Sequence, residues 1–230
     1  EAQELGSGLV LECDKSTRVC TVFALTATAV VAQQTFAMTG LRGSQWALTT
    51  RDGLTMLTGA IAGGTYNQAG DAIGYHFFTV RDQVGSGPLD RIVEMSAIGT
   101  VNPGQYHNGF IAPFLLDAHS GIWAQRDGSI MVYKTFTITN GVLTLMASRA
   151  MYNALNWNNA MTWGTAVGTD EAVICVPFDS RTTNPTFIRC YSMVASADRT
   201  SLDISPNTVD ISRNGAEFTR ASVLFTDNMA

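Results

Sequence analysis

Between Gln125 and Leu145 the chain reads QRDGSIMVYKTFTITNGVLTL. Asp127-Gly128 and Asn140-Gly141 are two-residue turn signals, because each can supply the positive φ angles of a tight hairpin turn. Ser129 to Thr139 lies between them and is rich in β-branched and aromatic residues, which suit a pleated surface. Val142 to Leu145 then reads as the returning strand. The stretch predicts a β-hairpin or meander.

The same grammar recurs along the chain. Leu9 to Cys13 and Val19 to Leu25 read as strands around the turn DKSTR, and Ala27 to Met38 continues as extended chain. Ser44 to Thr50 is a strand closed by Arg51-Asp52-Gly53, with Leu54 to Ile61 returning. Tyr75 to Arg81, Arg91 to Ile98, Ala172 to Pro177 and Thr186 to Val194 are further strands. Phe110 to Leu116 is apolar but carries Pro113, which places it at an edge or a bulge. Short strands between Leu202 and Phe225 finish the chain, with a turn at Asn214-Gly215. Residues 1–8, polar and glycine-bearing, are expected to form a flexible arm. Residues 147–160 (ASRAMYNALNWNNA) are the one helix candidate, on the rough 3-to-4 spacing of Ala150, Met151, Ala154, Leu155 and Asn158.

Roughly twelve strands separated by turn signals predict an antiparallel sandwich or barrel rather than a βαβ sheet. The expected class is all-β and jelly-roll-like, with at most one short helix. A single domain over residues 1–230 is expected, with a division near 100–105 as the alternative.

Composition adds a constraint on the surface. Hydrophobic residues make up 46% of the 230, enough for a sizeable core. Charged residues are only 14%, against about 25% in typical soluble domains. Lys15 and Lys134 are the only lysines. A surface so poor in charge is less protected against association, which fits a protein that works in an assembly. A Thr/Ser-rich secreted β-domain fits the composition equally. The net charge is −5 and no basic run exists, so direct nucleic-acid binding is not expected. The longest uncharged run, Val19 to Leu41, holds Gln33, Gln34 and several threonines and is too polar for a membrane span. The chain opens on Glu1 with no leader pattern, the expectation for a processed or excised chain.

Candidate chemistry is sparse. Cys13/Cys20 and Cys175/Cys190 are two local pairs, each able to face across a hairpin. Two disulfides and four free thiols are both open at this level, and neither spacing matches a zinc site. Asp117 and His119 lie two apart, so both side chains could share a strand face and, with His76 or His107, form a metal set. Ordinary loop histidines explain them better. Ser120 lacks the G-x-S-x-G elbow of a serine hydrolase. Asp198, Asp203 and Asp210 lack calcium-loop spacing. No catalytic residue, metal or cofactor is expected. Trp157, Asn158, Asn159 and Trp163 place indoles beside amides, material for stacking on a sugar and bonding its hydroxyls, or for a protein contact.

Together these features lead to two expectations. The first is a non-enzymatic structural or surface protein of a virus or phage particle: a capsid, spike or fibre subunit. It would be found on the virion or outside cells, and would associate with copies of itself and other virion proteins. A cell-surface receptor or glycan is a further partner. The second is a secreted, lectin-like carbohydrate-binding sandwich using the Trp157 to Trp163 segment.

Overall fold

The computed structural model describes residues 2–6, 8–61, 72–81, 87–104, 111–127, 130–152, 163–178 and 187–212. These residues form seventeen strands, one short 3-10 turn at Pro88–Asp90, and no α-helix. The fold is all-β, built from antiparallel sheets.

The first sheet holds β1 (Ala2–Gly6), β2 (Leu9–Asp14), β3 (Val19–Leu25) and β4 (Val30–Ala37). The second holds β5 (Leu41–Arg51), β6 (Leu54–Ile61), β7 (Ile73–Arg81) and β8 (Ile92–Met95), with β9 (Gly99–Val101) also pairing β7. The third holds β10 (Ile111–Asp117), β11 (Ser120–Asp127), β12 (Ile130–Thr139) and β13 (Val142–Tyr152). The fourth holds β14 (Trp163–Ala166), β15 (Glu171–Phe178), β16 (Phe187–Ala195) and β17 (Leu202–Ser212). Along the main path of every sheet, sequence neighbours are sheet neighbours.

The chain divides into two compact units. One is Glu1–Gln105 with Ile138–Thr144, and the other is Tyr106–Thr137 with Leu145–Ala230. Each is a sandwich with its own core. In the first unit, Leu9, Leu11, Val22 and Ala24 from the first sheet meet Leu41, Trp46, Leu57, Phe78 and Val93. In the second, Phe114, Ile122, Met131 and Tyr133 meet Ile174, Tyr191, Met193 and Leu202.

Side chains close the gap between sheet edges inside each unit. In the first, the Gln34 carboxamide on β4 donates to the Val93 carbonyl (3.1 Å) and accepts the Val93 N–H (2.8 Å), standing in for a strand neighbour of β8. In the second, Arg149 on β13 donates to the Leu202 carbonyl on β17 and pairs with Asp203. The residue supplying the partner is different, but the problem solved is the same: an edge strand leaves backbone groups unpaired.

Local chemistry explains the hairpins. Asp52 and Gly53 sit at φ 48° and 77°, and Asn140 and Gly141 at 52° and 76°. Both central positions of each turn are thus left-handed, as the primed two-residue turns require.

Two sequence expectations are corrected. Residues 1–8 are not an arm, because Ala2–Gly6 form β1 on β2 and Leu5 is buried in the core. Gly6 and Gly8, at φ 85° and 77°, turn the chain tightly between β1 and β2 rather than loosening it. Residues 147–152 are not helical, because they continue β13 beside β12. The Asn140-Gly141 turn starts an antiparallel ladder, and strand pairing overrides the helix-favouring alanines and methionines. Residues 153–160 of that helix candidate lie outside the described residues.

Candidate functional site

The densest polar arrangement among the described residues lies in the second unit, around Arg199. β10 ends at Asp117, Ala118 and His119 turn the chain, and β11 begins at Ser120. The Asp117 carboxylate holds that turn by accepting the His119 backbone N–H (2.6 Å) and the Ser120 hydroxyl (2.8 Å). Arg199 comes from the loop between β16 and β17, at φ 62°, and is only 6% exposed.

The Arg199 guanidinium is almost fully used. Its Nε donates to Ser120 Oγ at 2.8 Å, and one terminal nitrogen donates to Asp117 Oδ2 at 3.0 Å and to the Thr169 carbonyl at 2.6 Å. The other terminal nitrogen donates to the Ser196 carbonyl at 3.0 Å. The Arg199 carbonyl accepts the Thr135 hydroxyl, which itself accepts the Ala147 N–H. Burial raises the Asp117 carboxyl pKa, but the hydrogen bonds from Ser120, His119 and Arg199, with the guanidinium charge, outweigh it and hold the group below its ordinary value. A buried cation with this many partners is a clasp. It joins the β10–β11 turn to the β14–β15 and β16–β17 loops at one end of the fourth sheet.

That geometry decides what Asp117, His119 and Ser120 do. The Ser120 hydroxyl donates to the Asp117 carboxylate and accepts from the Arg199 guanidinium, and among the described residues no imidazole hydrogen-bonds to it. Asp117 spends its oxygens on the turn and on Arg199. His76 lies in the first unit, buried, with Nδ1 at 3.0 Å from the Ser96 carbonyl. His107 lies outside the described residues. Among the described residues no group of three His, Cys, Asp or Glu is placed to hold a metal ion.

The acidic residues of the same region are also dispersed. Asp198 accepts from the Ser196 hydroxyl and from the Thr200 hydroxyl and N–H, which lower its pKa to about 2. Asp203 pairs with Arg149, and Asp210 accepts both ends of Arg189 at 2.6 Å. Trp163 opens β14 opposite Cys175, whereas Trp157, Asn158 and Asn159 lie outside the described residues.

The cysteines pair as disulfides. Cys13 and Cys20 are direct cross-strand partners on β2 and β3, and Cys175 and Cys190 on β15 and β16, each with Cα atoms 4.0 Å apart. Disulfides of this kind persist in oxidising compartments, so an extracellular setting fits. No helix among the described residues is long and apolar enough to cross a membrane.

A second feature is a surface. On β2 and β3 the core side holds Leu9, Leu11, Cys13, Cys20, Val22 and Ala24. The opposite side follows from the register. Val10, Phe23 and Ala32 form one rung, Leu25 and Val30 another, and Asp14, Val19 and Ala37 a third. Glu12, Thr21 and Thr35 form a polar rung, and β1 brings Ala2 beside Glu12 and Glu4 beside Val10. Leu25 is 42% and Val30 67% exposed. An antiparallel sheet with one solvated face normally alternates apolar-in with polar-out. Here the β3–β4 half of the outer face is apolar or threonine. Its sequence signal was the uncharged run Val19 to Leu41, which strand patterning alone does not assign to a face. Arg199 had no comparable signal, since a lone arginine in SADRTS reads as solvated loop.

Compared with models of known protein families and with curated proteins, the chain matches none.

Proposed function

We propose that this chain is a non-enzymatic structural or surface subunit of a virus or phage particle, working through self-assembly. The observation that carries the reading is the character of the surface. Large apolar side chains stand in solvent, including Val30 at 67%, Val209 at 65%, Val142 at 58% and Leu89 at 52% exposed, on a chain with 14% charged residues. Lysine and other charges are the usual guards against edge-to-edge and face-to-face association. A chain so short of them is suited to having its surface covered by neighbours. The role of Arg199, Asp117 and Ser120 in holding loops together supports a structural rather than a hydrolytic use of those groups. The partners on this reading are copies of the chain, other particle proteins and a cell-surface receptor or glycan.

The test is the mass of the untagged chain in solution by light scattering. A closed oligomer or larger symmetric particle is expected. A monomer up to the solubility limit overturns the proposal.

A further inference from the structure

We propose that the Cys175–Cys190 disulfide is a thiol-exchange site, open at Cys190 to small thiols, whereas Cys13–Cys20 is a sealed staple. The proposal is independent of the self-assembly reading.

The two disulfides share a construction but lie on opposite sides of their sheets. Each joins direct partners of an antiparallel pair. Side chains alternate between the faces of a strand, so the neighbours of each cysteine fix its side. Leu9, Leu11, Val22 and Ala24 share the side of Cys13 and Cys20, and both cysteines are buried with them in the first unit's core. In the fourth sheet the core side belongs to Ala172, Ile174, Tyr191 and Met193. Cys175 and Cys190 are one residue out of step with these and face the other way. That outer side carries Glu171, Ser192 and Val194, with the Ser192 hydroxyl donating to the Glu171 carboxylate and Val194 exposed. β17 places the exposed Val209 beside Cys190. The pair therefore sits on a solvated face, and its two ends differ: Cys175 is buried and Cys190 is partly exposed.

Access decides which sulfur a thiolate attacks. An incoming thiolate bonds to Cys190 Sγ as the Cys175–Cys190 bond breaks. The electron pair of that bond leaves on Cys175 Sγ, which takes a proton from water. Cys190 then carries a mixed disulfide. A second thiolate attacks the incoming thiol's sulfur in that adduct and releases Cys190 as a thiolate, so two thiols are oxidised to their disulfide and the pair is reduced. The Cys13–Cys20 bond meets a thiol only when the first unit's core opens. One chain thus holds a redox-sensitive bond in its second unit and a protected one in its first.

The experiment uses the full oxidised wild-type chain and reduced glutathione without denaturant. Samples are quenched with iodoacetamide over time, and peptide mass spectrometry reads all four cysteines while circular dichroism follows the fold. The expected result is glutathione on Cys190 and alkylation of Cys175, at least about tenfold faster than any modification of Cys13 or Cys20, with the dichroism retained. Both pairs reacting at one rate overturns the proposal, because global unfolding then controls access. Cys13–Cys20 reacting first overturns it, as does glutathione found on Cys175 rather than Cys190. No reaction of either pair until urea is added overturns it too.

Discussion

At the scale of single residues, Arg199 decides more than any group the sequence singled out. It is a buried charge that keeps its cost low by satisfying nearly every donor. Arg199→Met should lower stability by about 3 kcal/mol, since it strands the Asp117 carboxylate and the Thr169 and Ser196 carbonyls. Urea denaturation measures it, and a loss under about 0.5 kcal/mol, the scale of an ordinary surface substitution, counts against the clasp. The acid limb is a second readout. The Asp117 pKa lies below its unfolded value, so its contribution is complete above the ordinary aspartate range and is lost as pH falls through the folded value. Asp14 and Asp198, both held at about 2 from an ordinary 3.8, titrate in the same direction. Wild-type stability should therefore fall between about pH 4 and pH 2, and Arg199→Met should flatten part of that fall by restoring Asp117 toward its ordinary value. An unchanged acid limb in the variant removes Asp117 from the account.

At the scale of elements, turn chemistry was the most legible signal and chain termini the least. Asp52-Gly53 and Asn140-Gly141 were readable because positive φ at two successive positions is cheap for few residue pairs. β1 was not readable, because AQELG carries one large apolar residue, Leu5, and its strand character comes from pairing with β2. Leu5→Ala should cost about 2–3 kcal/mol, since the side chain is 6% exposed within the first unit's core. A flexible arm predicts no change, so thermal denaturation separates the two. The β13 stretch from residue 147 failed for a related reason. Its composition favours helix locally, whereas its backbone hydrogen bonds go to a neighbouring strand that local composition does not record.

At the scale of the whole molecule, the same plan is used twice. Four consecutive strands form a sheet, the following strands (five in the first unit, four in the second) form another, and the two bury a common core. Each unit carries one disulfide, Cys13–Cys20 in the first and Cys175–Cys190 in the second. The closed loops are short, so removing either pair by double alanine substitution should cost about 2–3 kcal/mol, slightly more for Cys175–Cys190 with its separation of 15 against 7. Equilibrium unfolding of both variants checks the order. The tip of the β12–β13 hairpin, Ile138–Thr144, belongs to the first unit, where the Leu143 N–H donates to the Tyr75 hydroxyl at 2.9 Å. The first unit is thus assembled from two separated stretches of chain.

The sequence by itself determined the class of the protein. Period-two apolar patterning, β-branched and aromatic runs and Asx-Gly turns are local properties, and they specify antiparallel strands without reference to neighbours. It also set the charge-poor surface and the two cysteine spacings. The tertiary structure decided the rest: which strands share a sheet, which sheets share a core, that the cysteines are cross-strand partners, that Arg199 reaches Asp117 and Ser120 from 79 or more residues away, and which side of β3 faces water. Each of these depends on contacts between residues far apart in the chain. Such contacts arise from burial of apolar area and satisfaction of buried polar groups after collapse, and neither leaves a mark in the local pattern.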